Sequence, residues 1–212
     1  MRTAQFFTGG VFHVYTRGVD RRRVFLRFAH YGRCIKTIRS ILLTGSATER
    51  SIKNQGLALN KKVRLFAYCL MPNHYHLLIQ QIEDGGITEF MHKLDTSYTM
   101  FFNMNNRRSG RLFESTFKAK LIDSDDLCLH VSRYIHLNPV VAKLVEKPEY
   151  WRWSSYREYT DIETKHPLCD LAFIQSFYTS AQSYQSFVMD QIAYANLLHD
   201  IQEVKDEDSL FL

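Results

Sequence analysis

The spacing of apolar residues in the first half of the chain alternates between the periods of strands and helices. Residues 11–17 alternate in character and are rich in β-formers, which predicts a strand. Residues 28–43 carry apolar side chains at helical spacing, and the polar segment 44–62 that follows predicts a loop. Residues 63–70 and 74–81 predict two strands. Their link is so short that they must run antiparallel.

The second half of the chain continues with a helix, a strand and a helix. Residues 87–105 keep a helical apolar stripe, and Thr88 is a candidate N-cap. Residues 117–122 predict a strand. Ser124, or the aspartate before it, is placed to cap a further helix with acidic residues in its first turn. Pro139 is expected to end or kink that helix.

The order strand, helix, strand, strand, helix, strand is typical of the ferredoxin-like α+β fold. We therefore predict an antiparallel sheet with helices on one face and one more helix packed at the end. Residues from about 150 onward have mainly helical character. The predicted division is a domain over residues 1–160 and a helical C-terminal extension over residues 161–212.

Composition is compatible with this division. The chain has 212 residues, of which 45% are hydrophobic, enough for one compact domain with an extension. The four cysteines form no CxxC pair, so we expect reduced, mostly buried thiols. The sequence contains neither an apolar stretch long enough to span a membrane nor the apolar core of a signal peptide, so we expect a cytoplasmic protein, at the nucleoid when bound to DNA.

Charge is distributed unevenly along the chain. The net charge is +5. Five acidic residues and one lysine follow residue 199, so the preceding part carries about +9. A basic body of this kind predicts a polyanionic partner such as nucleic acid.

The basic residues gather in three groups that could contact phosphates. Each side chain alone could equally be a solvated surface charge, but the clustering favours DNA binding. The groups are Arg17, Arg21, Arg22 and Arg23; Arg107, Arg108 and Arg111; and Lys118 and Lys120, which share one face of a predicted strand.

Two histidines are candidates for a metal site. His74 and His76 are separated by one residue on a predicted strand, so their side chains point to one face. Two imidazoles on a rigid strand can hold one divalent cation. The alternative is a pair of half-buried histidines in a sheet.

Tyr134 and Asn138 are four residues apart on a predicted helix and therefore share a face. A tyrosine can act as a nucleophile towards a phosphate that a metal ion polarises, and the carbonyl oxygen of Asn138 could be a third metal ligand. The alternative is a core tyrosine and an asparagine near a helix end.

Four segments occur in a characteristic order: MPNHYHLL, RLFESTFKAKLI, RYIHLNPVVAKLV and WRWSSYREY. Together with FHVYTRGVDRR near the start, they resemble the REP-associated tyrosine transposases, relatives of the single-tyrosine HUH transposases of insertion sequences. The resemblance covers about residues 11–160. It implies the HUH endonuclease fold, with His74 and His76 as metal ligands, Tyr134 as the nucleophile and Asn138 as a further ligand.

The resemblance implies a metal-dependent transposase that cleaves single-stranded DNA. Attack by Tyr134 would leave a 5′-phosphotyrosine and a free 3′-OH, and the reverse step would rejoin strands. The implied cofactor is Mg²⁺ or Mn²⁺, the implied target is hairpin DNA, and the protein would act as a monomer or homodimer. An alternative is a domesticated hairpin-binding module with weak or lost cleavage. The YIHLNPV context disfavours a relaxase or replication initiator.

Four further features qualify this interpretation. His13 lies on the strand expected beside the two histidines, where it could approach the metal or the phosphate, or be structural. His136 would face away from Tyr134 and is not counted as a ligand. Trp151 is expected to pack in the core, as is Trp153. Residues 114–116 are Glu-Ser-Thr where the family usually has a glycine-arginine pair, a departure that would weaken or redirect DNA contact there.

Overall fold

The computed structural model describes residues 5–43, 59–160, 162 and 167–191. Most of the predicted loop over residues 44–62 lies outside these ranges. The strands are β1 (Val11–Arg17), β2 (Val63–Met71), β3 (His74–Gln81) and β4 (Lys118–Ile122). The helices are α1 (Phe28–Leu43), α2 (Gly86–Asn105), α3 (Asp125–Val141), α4 (Tyr156–Tyr159), α5 (Ala172–Gln175) and α6 (Ala181–Met189), with short 3₁₀ turns at Val19–Arg21 and Pro148–Tyr150.

The four strands form one antiparallel sheet in the order β2-β3-β1-β4. The predicted antiparallel pairing of β2 with β3 is confirmed, and β1 lies between β3 and β4. In this register Tyr15 lies opposite His76, and Arg17 opposite His74. Residues directly opposite each other share a face of the sheet, so β1 contributes side chains beside both histidines.

Helices cover both faces of the sheet. α1 and α2 pack on one face, against a buried cluster that includes Phe12, Leu77 and Ile79. α3 and the segment after it pack on the other face, in a second cluster that includes Leu78 and Ile135. The predicted ferredoxin-like α+β fold is confirmed. The two helices of its repeating pattern share one face, and the additional helix α3 lies on the opposite one.

The ends of two helices differ from the sequence predictions. The backbone N–H of Leu127 donates to the Ser124 hydroxyl at 3.3 Å, so Ser124 is the cap of α3, one of the two predicted candidates. Thr88 is not a cap, because α2 begins at Gly86, after Gly85 with a φ of 74°. Pro139 does not end α3, which continues to Val141.

The described part of the chain after residue 150 contains only the short helices α4, α5 and α6, joined by turns. The Trp151 indole donates to the carbonyl oxygen of Leu70 at 3.0 Å, and Trp153 stacks on Tyr31 with centroids 5.0 Å apart. Both tryptophans therefore pack against the core, as predicted. The four cysteines are buried free thiols, also as predicted. No helix in the described ranges is long and apolar enough to cross a membrane.

α6 is hydrogen-bonded to the buried side of α3. The Tyr184 hydroxyl lies 2.8 Å from Nδ1 of His136 and 3.2 Å from the hydroxyl of Ser132. Nε2 of His136 lies 2.8 Å from the hydroxyl of Ser155. Both ring nitrogens of His136 are thus engaged on the side of α3 away from Tyr134, as expected for a residue that is not a ligand.

Further polar contacts join the described residues after 160 to α3 and to α4. The Arg133 guanidinium donates to the carbonyl oxygen of Phe187 at 3.2 Å and lies 4.2 Å above that ring. The Glu158 carboxylate accepts from the backbone N–H groups of Leu168 and Cys169, each at 3.0 Å. The described residues after 160 therefore share a core with α3. The division at residue 160 itself stays a prediction.

Removing the Tyr184 hydroxyl should destabilise the protein. Tyr184→Phe leaves the buried His136 and Ser132 short of one hydrogen bond each, at an expected cost of about 1–3 kcal/mol in the free energy of unfolding. Urea unfolding followed by circular dichroism measures this cost. Tyr178→Phe is the matched control, because the Tyr178 hydroxyl has no hydrogen-bond partner among the described residues. Equal losses in the two variants would contradict the prediction.

A second prediction concerns Asp95, which accepts a hydrogen bond from the Tyr75 hydroxyl behind β3. Burial raises the pKa of the Asp95 carboxyl from its usual 3.8 to about 7, although the Tyr75 hydrogen bond opposes this. Between pH 3.8 and about 7, the Asp95 carboxyl is deprotonated in the unfolded chain but still protonated in the folded protein. The free energy of unfolding therefore falls as pH rises through this range. Urea midpoints from pH 5 to pH 8 should fall more in the wild type than in Asp95→Asn. Parallel profiles would contradict the assignment.

Candidate active site

The four residues predicted to carry the chemistry converge in one place. His74 and His76 lie at the start of β3 on the face covered by α3, and Tyr134 and Asn138 lie on the side of α3 that faces them. The ring centroids of His74 and His76 are 4.8 Å apart, and those of His76 and Tyr134 are 5.6 Å apart. The histidine pair on β3 and the Tyr134–Asn138 pair on α3 therefore lie side by side, as the sequence predicts.

Asn138 joins the histidines to the tyrosine. The Asn138 side chain raises the pKa of the His74 ring and lowers the pKa of the Tyr134 phenol, so it acts on both groups. Its amide nitrogen donates a hydrogen bond to the backbone carbonyl of Tyr134 at 3.3 Å. Asn138 is therefore placed beside both a candidate ligand and the candidate nucleophile.

His74 is held by the residue before it. Its Nδ1 lies 2.6 Å from the side-chain oxygen of Asn73, which can only accept, so Nδ1 carries the proton and Nε2 keeps its lone pair. Burial and, to a smaller extent, the positive charge of Arg17 lower the pKa of His74 to about 4. The ring is therefore neutral at pH 7, as a metal ligand must be.

His76 is buried, with 6% of its surface exposed. Its Nδ1 lies 2.9 Å from Nε2 of His13. Its Nε2 is buried and has no hydrogen-bond partner among the described residues. Burial lowers the pKa of His76 well below its usual value, and His74, His13 and Arg17 add to the effect. A buried nitrogen without a partner is costly in a protein interior, and a bound cation would satisfy it.

The donor set fits a small divalent cation with open positions. Within the described ranges, no group of three or more His, Cys, Asp or Glu side chains is arranged to hold a metal ion. The candidate set therefore needs the amide oxygen of Asn138 beside the nitrogens of His74 and His76. Imidazole and amide ligands suit Mn²⁺, and Mg²⁺ ordinarily keeps several oxygen ligands from water or phosphate.

Tyr134 is half-buried between the histidines and Asn138. Burial raises the pKa of its phenol, while the hydrogen bond from Asn138 and the charge of Arg17 oppose this. The hydroxyl is therefore protonated at neutral pH. As a nucleophile it would have to lose that proton as it reacts.

Three of the predicted DNA-binding residues lie at this site. Arg17 is opposite His74 in the sheet, Lys118 is opposite Tyr15, and Lys120 is opposite His13. Opposed residues share a face, so all three basic side chains start from the histidine face of the sheet. They supply positive charge where a phosphate would approach.

The other predicted basic residues lie in two loops. Arg21 and Arg111 line an open cleft of about 740 Å³ together with Asp20 and Glu114. Because the acidic Asp20 and Glu114 lie beside the two arginines, this cleft carries mixed charge. Glu114 belongs to the segment that departs from the family pattern.

Two of the remaining arginines make hydrogen bonds with residues close to them in sequence. The guanidinium of Arg22 donates to the carbonyl oxygen of Val19 at 3.0 Å, and that of Arg108 donates to the Asn103 side chain at 2.9 Å. Arg23 is exposed, as is Arg107. Their predicted contacts with DNA stay predictions.

Sequence reasoning missed Tyr15. Its ring stacks on His13 with centroids 5.3 Å apart and lies 6.0 Å from the His76 ring. The Lys118 ammonium is 5.9 Å from the centre of the same ring. Alternation in β1 shows that residues 13, 15 and 17 point to one face of the sheet. It places Tyr15 beside His76 only once the pairing of β1 with β3 is known.

Comparisons with known proteins identify the family of the chain. The family model for IS200-like transposases matches residues 28–138, a segment that contains all four converging residues. A protein of Haemophilus influenzae named as a REP-associated tyrosine transposase is 34% identical over 101 residues, which are 42% of this chain and 57% of that relative. The aligned part is thus little more than half the length of the relative.

A solved structure of a REP-associated tyrosine transposase bound to a REP hairpin shares the fold. Its TM-score is 0.52, over 79% of this chain and 88% of that one, at 14% sequence identity. At that identity the likeness concerns the fold alone. Because the family model matches more than half of the sequence, the chain belongs to the IS200-like transposase family.

Proposed function

We propose that this protein cleaves single-stranded DNA beside a hairpin by attack of Tyr134 on a phosphodiester, with a divalent metal ion held by His74, His76 and Asn138. The observation that carries the proposal is the position of His76, whose ring centroid lies 4.8 Å from that of His74 and 5.6 Å from that of Tyr134. Metal ligands and a nucleophile this close together can act on the same phosphate.

The reaction exchanges one phosphodiester for another. The Tyr134 oxygen forms a bond to phosphorus, and the bond from phosphorus to the 3′ oxygen breaks. The phenol gives up its proton, and the departing 3′ oxygen takes one up to become a hydroxyl. The products are a 5′-phosphotyrosine and a free 3′-OH. Because the number of phosphodiester bonds is unchanged, a second 3′-OH can reverse the step and join strands without a nucleotide cofactor.

Each side chain has a separate task in this scheme. His74 and His76 are neutral and offer nitrogen lone pairs from a rigid strand, and Asn138 offers an oxygen from the facing helix. Bound Mg²⁺ or Mn²⁺ would polarise the scissile phosphate and offset the charge that builds on its oxygens. Arg17 lies beside this centre and, with Lys118, holds the DNA backbone in position.

Hairpin DNA is the proposed partner for two reasons. The solved transposase that shares this fold is bound to a REP hairpin. In addition, the histidine face of the sheet carries Arg17, Lys118 and Lys120, and a cleft lined by Arg21 and Arg111 lies in the loops beyond β1. A surface with this charge binds nucleic acid through its phosphates, in a salt-dependent manner.

Tyr134→Phe should abolish the covalent product without abolishing DNA binding, because it removes only the attacking oxygen. The assay uses end-labelled hairpin DNA with single-stranded flanks from the surrounding genome, with Mn²⁺ or Mg²⁺, and separates protein–DNA adducts on a denaturing gel. The wild type should give a nick and an adduct in the presence of metal only. Cleavage by Tyr134→Phe should fall by about 10³-fold or more, as for loss of a nucleophile.

The matched control is Tyr150→Phe, since Tyr150 is 60% exposed and lies outside the site. It should cleave like the wild type. An adduct that persists in Tyr134→Phe would show that another residue is the nucleophile. Tight hairpin binding without any nick, across several flanking sequences and both metals, would favour a binding module instead.

Substitutions of Asn138 should shift the metal dependence in opposite directions. Asn138→Leu removes the oxygen ligand and should raise the Mn²⁺ concentration for half-maximal cleavage by about tenfold or more. Asn138→Asp replaces the amide with a carboxylate, a stronger ligand for hard cations, and should lower it. The control is Asn105→Leu, on the exposed surface of α2, which should leave the Mn²⁺ dependence unchanged. An unchanged Mn²⁺ dependence in Asn138→Leu would remove Asn138 from the metal site.

A further inference from the structure

His76 has two ring nitrogens, and only one of them can bind a metal ion. The other, Nδ1, lies 2.9 Å from Nε2 of His13. The two rings are nearly parallel, at 18°, with centroids 5.1 Å apart. His13 is 1% exposed and His76 is 6% exposed, so protein packing rather than solvent sets this contact.

A hydrogen bond between two neutral imidazoles can be arranged in two ways. If His13 donates, His76 accepts at Nδ1 and must carry its own proton on Nε2, where it cannot bind a metal. If His76 donates from Nδ1, its Nε2 keeps a lone pair and the buried nitrogen can bind a cation. A cation on Nε2 therefore requires the second arrangement, in which His13 is the acceptor and carries its own proton on Nδ1.

The backbone holds His13 in position for this task. His13 lies on β1 opposite Leu78, so it is diagonal to His76 across the paired strands. Histidines that bind metals usually donate their other N–H to a carboxylate, a backbone carbonyl or water. Here the acceptor at that position is an imidazole supplied by the neighbouring strand.

We propose that His13 is a positioning residue, which accepts the Nδ1 proton of His76 and thereby holds His76 in the tautomer and orientation that present Nε2 to the metal ion. The proposal rests on the proposed function, since it takes His76 as a ligand. It assigns His13 no contact with the metal or with DNA.

The first test measures Mn²⁺ binding to the protein without DNA, from the loss of the electron paramagnetic resonance signal of free Mn²⁺. His13→Leu fills the same space without an acceptor and should weaken Mn²⁺ binding by about 10–100-fold, as for other residues that orient metal ligands. His13→Gln places an amide oxygen near the position of Nε2 and should restore most of the affinity. His30→Leu removes a buried histidine from the other face of the sheet and should leave the affinity unchanged.

The second test reads the tautomer directly in the metal-free protein. Nitrogen-15 chemical shifts of the His76 ring distinguish a proton on Nδ1 from one on Nε2. The wild type and His13→Gln should show the proton on Nδ1. In His13→Leu the Nε2-protonated form should appear. A merely structural role of His13 would leave the tautomer of His76 unchanged.

The outcomes separate this inference from the function on which it rests. Wild-type protein that binds no Mn²⁺ would overturn the proposed metal centre and the role of His13 with it. Wild-type affinity in a folded His13→Leu, or a proton on Nε2 of His76 in the wild type, would overturn the role of His13 alone. If His13→Leu does not fold, His13→Asn replaces it, because its shorter amide does not reach His76. Equal Mn²⁺ affinities of His13→Asn and His13→Gln would then overturn the proposal.

Discussion

The interior position of β3 is the constraint on which the rest of the structure depends. β3 lies between β2 and β1 and is covered by helices on both faces, so each of its side chains must suit one of two cores. Alternation along the strand sends Tyr75 to α2 and the flanking His74 and His76 to α3. A polar pair on such a strand needs partners for its nitrogens, and Asn73 and His13 each contact one Nδ1.

Periodicity predicted α1 and α2 because each helix buries one side, whereas β2 and β3 are buried on both faces. The apolar spacing in β1 and α1 gave their bounds, and the short link between β2 and β3 gave their pairing. Helix ends were less predictable, since a cap depends on one local geometry. Gly85 adopts a positive φ and starts α2 before Thr88 can act as a cap. Pro139 lies in the last turn of α3, where the helix tolerates it and continues for two residues.

The candidate site was predictable as far as spacing within one element determines it. His74 with His76, and Tyr134 with Asn138, each share a face for reasons visible in the sequence. The contact between His13 and His76, and the place of Tyr15 beside them, depend on the register of β1 against β3, which no local pattern determines. The basic residues divide in the same way. Arg17 lies beside the histidines because β1 pairs with β3. Arg22 and Arg108 instead make hydrogen bonds with residues close to them in sequence.

The attachment of α6 to α3 has a consequence for assembly. The hydrogen bonds of Tyr184 to His136 and Ser132 join α6 to the helix that carries Tyr134, and His136 is linked through the Ser155 hydroxyl to the Tyr68 carbonyl of β2. Within this chain, α3 is thus tied on one side to the sheet and on the other to α6. A centre completed in this way within one polypeptide would stay intact on dilution, whereas a centre shared between two subunits would be lost.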